Sequence, residues 1–488
     1  MKSFAMAALI AVLLWSAAPR AVAQNLALDP RVKQSLTFLQ MWLDGQRVYE
    51  QIPGISVAIV HDQQVIWAAG FGSADRERKV AATPETVYSI CSISKLFTSI
   101  AIMQLRDEGK LRLDDPIKQH LPWFEVKQAH PESGPITIES LLTHSAGFQQ
   151  DPPIAYWTGA FSFPTSAEIR GSLRNDELLF PAGRHLEYSN TAYILAGEIV
   201  AAASGTAYTE RVKSRIIEPL GLTSTTPDMA PRLRQERLAT GYSGLGRDGK
   251  RVPVPFFQTR GVAPAAGFAS SATDLARFAS WQFRLLGTGR SEVLAANTLR
   301  EMQRVHFPAS DWSEARGLGF RVWRSGDRTF VGHGGDCPGF RTAILLQPDD
   351  RIATIFLANA GGVANERFAQ RIYEIVTPAI LAAAAGEPML AVADASLEAF
   401  TGSYDYAPWG GEMLVFQWED GLAFIDLPNT DPRAEIARLR AVPGRPGSFR
   451  RVRKDGALGE PIDFKRDANG RVIGAVRWNN PLPKMGSR

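Results

Sequence analysis

The order in which strand and helix patterns follow one another between residues 54 and 384 constrains the fold most. Residues 54–70 read as a β-hairpin: Ile55, Val57 and Ile59 alternate with Ser56, Ala58 and Val60, His61-Asp62-Gln63-Gln64 makes the turn, and Val65-Ile66-Trp67 starts the return. Helical patterns then fill the middle. Residues 92–108 carry Leu96, Ile100, Met103 and Leu105 as an approximate apolar stripe and stop at Gly109. Residues 191–203 stop at Gly205, and residues 272–286 begin with Thr273 and Asp274. Residues 317–360 return to strands, with 342–346 and 352–357 flanking a Gln347-Pro348-Asp349-Asp350 turn. A helix over 365–384, kinked at Pro378, closes the region. Strands at both ends with helices between predict an α+β fold, in which one mainly antiparallel sheet is assembled from both ends around a helical insert.

Two segments flank this region. At the start, Lys2 precedes an apolar run from Phe4 to Ala18, and Ala21-Val22-Ala23 has the A-x-A pattern of a cleavage site. Residues 1–23 therefore read as a secretory signal peptide, with the mature chain placed outside the cytoplasm, secreted or periplasmic. The run is shorter than the roughly 20 residues of a spanning helix. At the other end, the Ala-rich stretch 382–395 reads as a boundary between a first domain (24–385) and a second (396–488). The second carries short alternating runs such as Met413-Leu414-Val415-Phe416 and Leu422-Ala423-Phe424-Ile425 between Gly, Pro and Asp turns, the signature of a small all-β domain. Its 14 Lys/Arg against 6 Asp/Glu over residues 431–488 fit a solvated surface, or attraction to an anionic envelope.

Composition excludes several classes. At 45% hydrophobic and 21% charged, the chain is neither disordered nor fibrous. A net charge of +4 does not suit a nucleic-acid partner. Two cysteines cannot build a disulfide-rich scaffold or a Cys-ligated zinc site, and the seven histidines form no H-E-x-x-H or other close pair, so no metal is expected. Gly244 to Gly249 matches G-x-G-x-x-G, but with no strand before it and no helix after it this is a loop, and no cofactor is expected.

Three stretches carry chemistry. Ser92-Ile93-Ser94-Lys95 puts a hydroxyl and an ammonium one helical turn apart, on one face. A serine is a poor nucleophile until a neighbour takes its proton, and a lysine does so once its pKa is pulled down. Tyr188-Ser189-Asn190 follows a Phe180-Pro181-Ala182-Gly183 turn, and His333-Gly334-Gly335 lies beside the predicted second hairpin, where two glycines suit a close-approaching ligand backbone.

Together these stretches resemble the serine β-lactamase and D-Ala-D-Ala carboxypeptidase family, in the branch of class C β-lactamases, D-aminopeptidases and β-lactamase-like esterases. Leu141 to Gly147, Pro219-Leu220-Gly221-Leu222 and Ala266-Gly267-Phe268 look like family landmarks in the expected order. The resemblance implies a β-lactamase-like sandwich with a helical subdomain and a lipocalin-like C-terminal domain. It implies that Ser92 is acylated, that Lys95 and Tyr188 share the proton transfers, and that Asn190 orients the substrate amide and Lys95. His333 stands where many relatives have lysine; with Gly334 and Gly335 it would bind substrate, holding a carboxylate or tuning Tyr188. The backbone N–H groups of Ser92 and Asp336 would form the oxyanion hole. Loops 148–180 and 240–265 would set specificity.

No Glu-x-x-Leu-Asn stretch occurs, so ester or D-amino-acid peptide hydrolysis is expected, possible substrates including cell-wall peptides. A β-lactamase and an inactive muropeptide-binding sensor are the alternatives. In this fold the third motif lies beside the nucleophile helix, and some class A carbapenemases join the matching positions, so Cys91 and Cys337 are either bridged or two buried thiols.

Overall fold

The computed structural model describes residues 25–127, 129–388 and 394–486. The segment read as a signal peptide, and part of the proposed domain boundary, lie outside these. Nine strands form the central sheet in the order Val80–Ala81, Gln64–Asp75, Gly54–His61, Ile352–Ala358, Phe340–Gln347, Arg328–Cys337, Arg321–Ser325, Ala315–Arg316 and Phe307–Pro308. The strand that opens the region pairs antiparallel with the strand that nearly closes it, Ile55 opposite Ala358 and Val57 opposite Phe356. The sheet is thus built from both ends of the region, as the patterning implies.

Period-two alternation explains how both faces are covered. Ile55, Val57, Ile59 and Phe356 join one apolar cluster with the helices Pro30–Tyr49 and Asn365–Ala384. Ala58, Val60, Ile355 and Leu357 point the other way, into the cluster shared with the helices Ser94–Asp107 and Ala272–Thr288. The Asn365–Ala384 helix has the predicted bounds and carries Pro378 inside it.

The C-terminal domain is eight antiparallel strands, from Gly402–Asp405 to Asn480–Pro483, each paired with the next in sequence. A bridge between Tyr404 and Lys484, and the Met485 N–H donating to Ser403 O at 2.8 Å, bring the last strand back to the first, so the sheet nearly closes into a barrel. The barrel docks on the Pro30–Tyr49 helix. Phe38 stacks on Phe416 with ring centroids 4.1 Å apart, and Trp42 Nε1 donates to Asn429 O at 3.0 Å. Gly45 lets the helix approach closely there: a Cβ would stand 2.5 Å from Leu427 Cδ1, and that side chain would have to shift. Among the described residues no helix is long and apolar enough to cross a membrane.

Candidate active site

The chain reaches Ser92 through an unusual turn. Cys91 has a φ of +49°, in the left-handed region that a side chain rarely adopts. A short 3₁₀ turn, Cys91–Ile93, follows, and the α-helix itself is Ser94–Asp107. The predicted helix start at 92 is therefore corrected by two residues: Ser92 sits in the turn, not on the helix face. Such a conformation persists only when its surroundings over-determine it. Here Ser94 Oγ donates to Cys91 O at 2.5 Å and accepts from Phe268 N–H at 2.9 Å. Thr342 Oγ1 donates to Ile90 O at 3.1 Å. Gly335 lets the Arg328–Cys337 strand lie against the turn, since a Cβ would stand 2.3 Å from Ile90 O.

A disulfide between Cys91 and Cys337 fastens the turn to that strand across 246 residues. Closing so long a loop removes much unfolded-chain entropy, for which a contribution of about 5 kcal/mol is an upper figure. Cys91→Ala/Cys337→Ala protein, or wild type unfolded under reductant, is expected to lose several kcal/mol of that stability. Denaturant midpoints with and without reductant check it, and coincident midpoints would contradict it.

Lys95 is fully buried. Its Nζ lies 3.2 Å from Ser92 Oγ, 2.8 Å from Asn190 Oδ1 and 2.9 Å from Ala265 O. Burial takes its pKa well below the ordinary lysine value; Asp151 opposes the shift and the Arg316 charge adds to it. In the free-amine form its two N–H groups serve Asn190 and Ala265, and its lone pair faces Ser92. From the other side the Tyr188 hydroxyl donates to Ser92 Oγ at 2.8 Å. Burial pushes the Tyr188 phenol up to about 12, so it keeps its proton at neutral pH. Ser92 Oγ thus has a donor on one side and an acceptor on the other.

Asn190 begins the helix Asn190–Ser204, capped by Ser189 Oγ accepting from Ala192 N–H at 3.2 Å. Its amide orientation follows from its partners: Nδ2 donates to the Asp151 carboxylate at 2.8 Å, which turns Oδ1 toward Lys95. His144, read from sequence as a structural hydrogen-bonder, accepts the Ser189 N–H on Nδ1 at 3.1 Å and packs its ring 4.4 Å from that of Tyr188.

His333 Nδ1 lies 2.6 Å from Gly334 O. A carbonyl only accepts, so Nδ1 carries the hydrogen and Nε2 is a lone pair, buried and without a hydrogen bond. Burial, with the Lys95 and Arg316 charges, lowers its pKa to about 3. His333 is therefore neutral, and its Nε2 acceptor lies buried beneath the cleft surface.

Ser92, Tyr188, Asn190, His333, Gly334, Gly335 and Asp336 all line one cleft of about 610 Å³. The cleft also takes in Gln150, Trp157, Glu314, Arg316, Arg321 and Glu366, none of which the motifs announce. Of the two expected specificity loops, only the first reaches it, through Gln150 and Trp157. Phe257 of the second stands behind Trp157, ring centroids 6.3 Å apart. Among the described residues, none of the barrel's lines the cleft.

Residues 39–377 match the family model described as Beta-lactamase. The chain belongs to the Beta-lactamase family. It shares the fold of β-lactamase-like hydrolases. Protein flp of Staphylococcus aureus (strain NCTC 8325 / PS 47) is 29% identical over 314 residues, 63% of this chain. The match spans 60% of that protein's length. The octameric penicillin-binding protein homologue from Pyrococcus abyssi superposes with a TM-score of 0.61 at 24% identity, covering 92% of this chain and 100% of that one. D-amino acid amidase from Ochrobactrum anthropi SV3 gives a TM-score of 0.58 at 25% identity, covering 72% of this chain and 99% of its own. In this Beta-lactamase-family chain the motif residues meet in one place. Arg316 and Glu314 join them because the Ala315–Arg316 strand lies beyond Arg321–Ser325 in the same sheet. No local pattern marks that strand, only its pairing.

Proposed function

We propose that this chain is a secreted serine hydrolase that cleaves an ester or a D-amino-acid peptide through an acyl-enzyme. The observation that carries the reading is the placement of Ser92 Oγ between the Tyr188 hydroxyl at 2.8 Å and Lys95 Nζ at 3.2 Å. The Lys95 lone pair takes the hydroxyl proton as Ser92 Oγ attacks the substrate carbonyl. The developing oxyanion is held by the Ser92 and Asp336 backbone N–H groups, a donor of this kind being worth about 3 kcal/mol of barrier. As the tetrahedral species collapses, the carbon–leaving-group bond breaks and Tyr188 gives its proton to the departing atom. Lys95 then returns a proton to the phenolate. Water attacks the acyl-enzyme by the same route in reverse, releasing the acid and restoring the serine hydroxyl. Asn190 keeps Lys95 aligned and presents its amide to the substrate.

The Cys91–Cys337 bridge suits an oxidising compartment, which supports secretion. A panel of D-Ala-D-Ala peptides, D-amino-acid amides, short-chain esters and nitrocefin, with intact-mass capture of the adduct, tests the proposal. Ester or peptide turnover with the acyl group on Ser92 is expected, and nitrocefin turnover below roughly one per minute against the common enzyme rate near 10 s⁻¹. No adduct with any member, or an adduct elsewhere, would overturn it.

A further inference from the structure

We propose that Asp151 is a positioning residue of the acylation step: acting through the Asn190 amide, its carboxylate holds Lys95 on Ser92 and stabilises the ammonium that Lys95 becomes. The proposal rests on the acyl-enzyme reading and adds a charged member to its proton-transfer machinery, one that touches neither substrate nor the reacting atoms.

Residues 149–151 are clamped onto residues 189–191. The Ser189 hydroxyl donates to Gln149 O at 2.7 Å, and the Asn190 and Thr191 N–H groups both reach Gln150 O, at 2.6 and 3.3 Å. Asp151 comes next in the chain, and its Oδ1 accepts from Asn190 Nδ2 at 2.8 Å. On the far side the Tyr156 hydroxyl donates to the same oxygen. Tyr156 is 1% exposed and packs against Trp157 and Phe163, ring centroids 5.3 and 5.2 Å away, so the carboxylate is braced from behind. A carboxylate only accepts, which fixes the orientation of Asn190. A flipped amide would set two oxygens against each other and turn Nδ2 on the Lys95 lone pair that faces Ser92.

The charge matters as much as the orientation. At the cleft Glu314 pairs with Arg316 and Arg321, Glu366 with Arg321, and Asp336 with Arg341. Asp151 differs. Among the described residues it makes no ion pair, and its side-chain donors are all neutral: Asn190, Tyr156, and Gln150 Nε2 at 3.4 Å. Its field therefore falls on Lys95, one amide away. The other groups around Lys95 are Arg316, the neutral His144 and His333, and the phenols of Tyr188 and Tyr193, none of them an anion. As Ser92 Oγ gives its proton to Nζ, a positive charge forms in a buried site. Asp151 offsets that charge without taking a proton, the part the carboxylate plays in a serine–histidine–aspartate triad.

The test is the pH profile of kcat/KM on a nitrophenyl ester. Asp151→Asn keeps the shape of the side chain and an acceptor for Asn190 but removes the charge. Its plateau is expected to fall by about tenfold or more, and its acid limb to move to lower pH. One pH unit below the wild-type midpoint, where wild type keeps about a tenth of its plateau, the variant should keep at least about three times that share of its own. A lysine that deprotonates more readily is also a weaker base, so both changes have one cause. Asp151→Glu retains the charge and is expected to leave the limb where wild type has it. A side chain that only supported the loop would lower activity in both variants without moving the limb. An unmoved limb in Asp151→Asn, or an equal movement in Asp151→Glu, overturns the proposal. Failure of the acyl-enzyme reading looks different. Intact mass would then show no acyl group on Ser92 of the wild type, Lys95→Met would keep the acid limb, and the Asp151 proposal would fall with it.

Discussion

Ser92→Ala protein is expected to lose at least about 10⁴-fold in kcat on a nitrophenyl ester, as nucleophile deletions do in acyl-transfer enzymes. Covalent labelling by a fluorophosphonate or a penicillin should disappear with it. The size follows from what the oxygen does: the Tyr188 hydroxyl and Lys95 Nζ both address it. Removing it leaves no acceptor for the acyl group, while the Cys91 bridge and the Ser94 contacts that shape the turn remain. The fold should therefore survive, and a matching circular dichroism melt separates chemistry from collapse. Undiminished labelling of the alanine variant would refute the assignment.

Lys95→Met is the second large effect, with an expected loss of about 10²–10⁴-fold, the range of a positioned proton acceptor. Its distinguishing readout is pH. The lysine must be unprotonated to accept, so wild-type kcat/KM rises as pH climbs through its lowered pKa. It then stays level, and falls only as the Tyr188 phenol, pushed up to about 12, loses its proton. The acid limb should lie well below ordinary lysine titration and should vanish in the methionine variant. Methionine leaves Asn190 Oδ1 and Ala265 O without their donor, an unsatisfied buried group costing about 1–3 kcal/mol, but it also removes the need to bury an amine. An acid limb retained in Lys95→Met would assign the titration to another group.

Much of this was legible in the sequence because it is written in short-range periodicity. Alternation at Ile55, Val57 and Ile59 marks a strand whose two faces meet different helices, and the bounds of the Asn365–Ala384 helix can be read directly. The Pro30–Tyr49 helix was missed. Its buried residues include Val32, Leu36, Phe38, Leu39, Trp42 and Leu43, spread around the axis because sheet, neighbouring helix and barrel each take a side. A helix with three partners shows no single stripe. Ser92 and Ile93 read as the first residues of the helix because the left-handed φ of Cys91 that sets the turn is imposed by distant groups, Cys337 and Phe268 among them. Arg316 was missed for the same reason: its meaning lies in Tyr188 and Glu314, which only sheet pairing brings to it.

The pairing of Gly54–His61 with Ile352–Ala358 has a consequence for biosynthesis. During translation the early strand has its hairpin mate but must wait for some three hundred further residues before its inner edge is covered, and distant pairings of this kind slow folding. Cys91 likewise waits for Cys337. A nascent or truncated polypeptide ending short of residue 328 would hold the Ser92-bearing segment without the strands that brace its turn, and one ending short of residue 352 would lack the strand that joins the two halves of the sheet, so the complete cleft would arrive late.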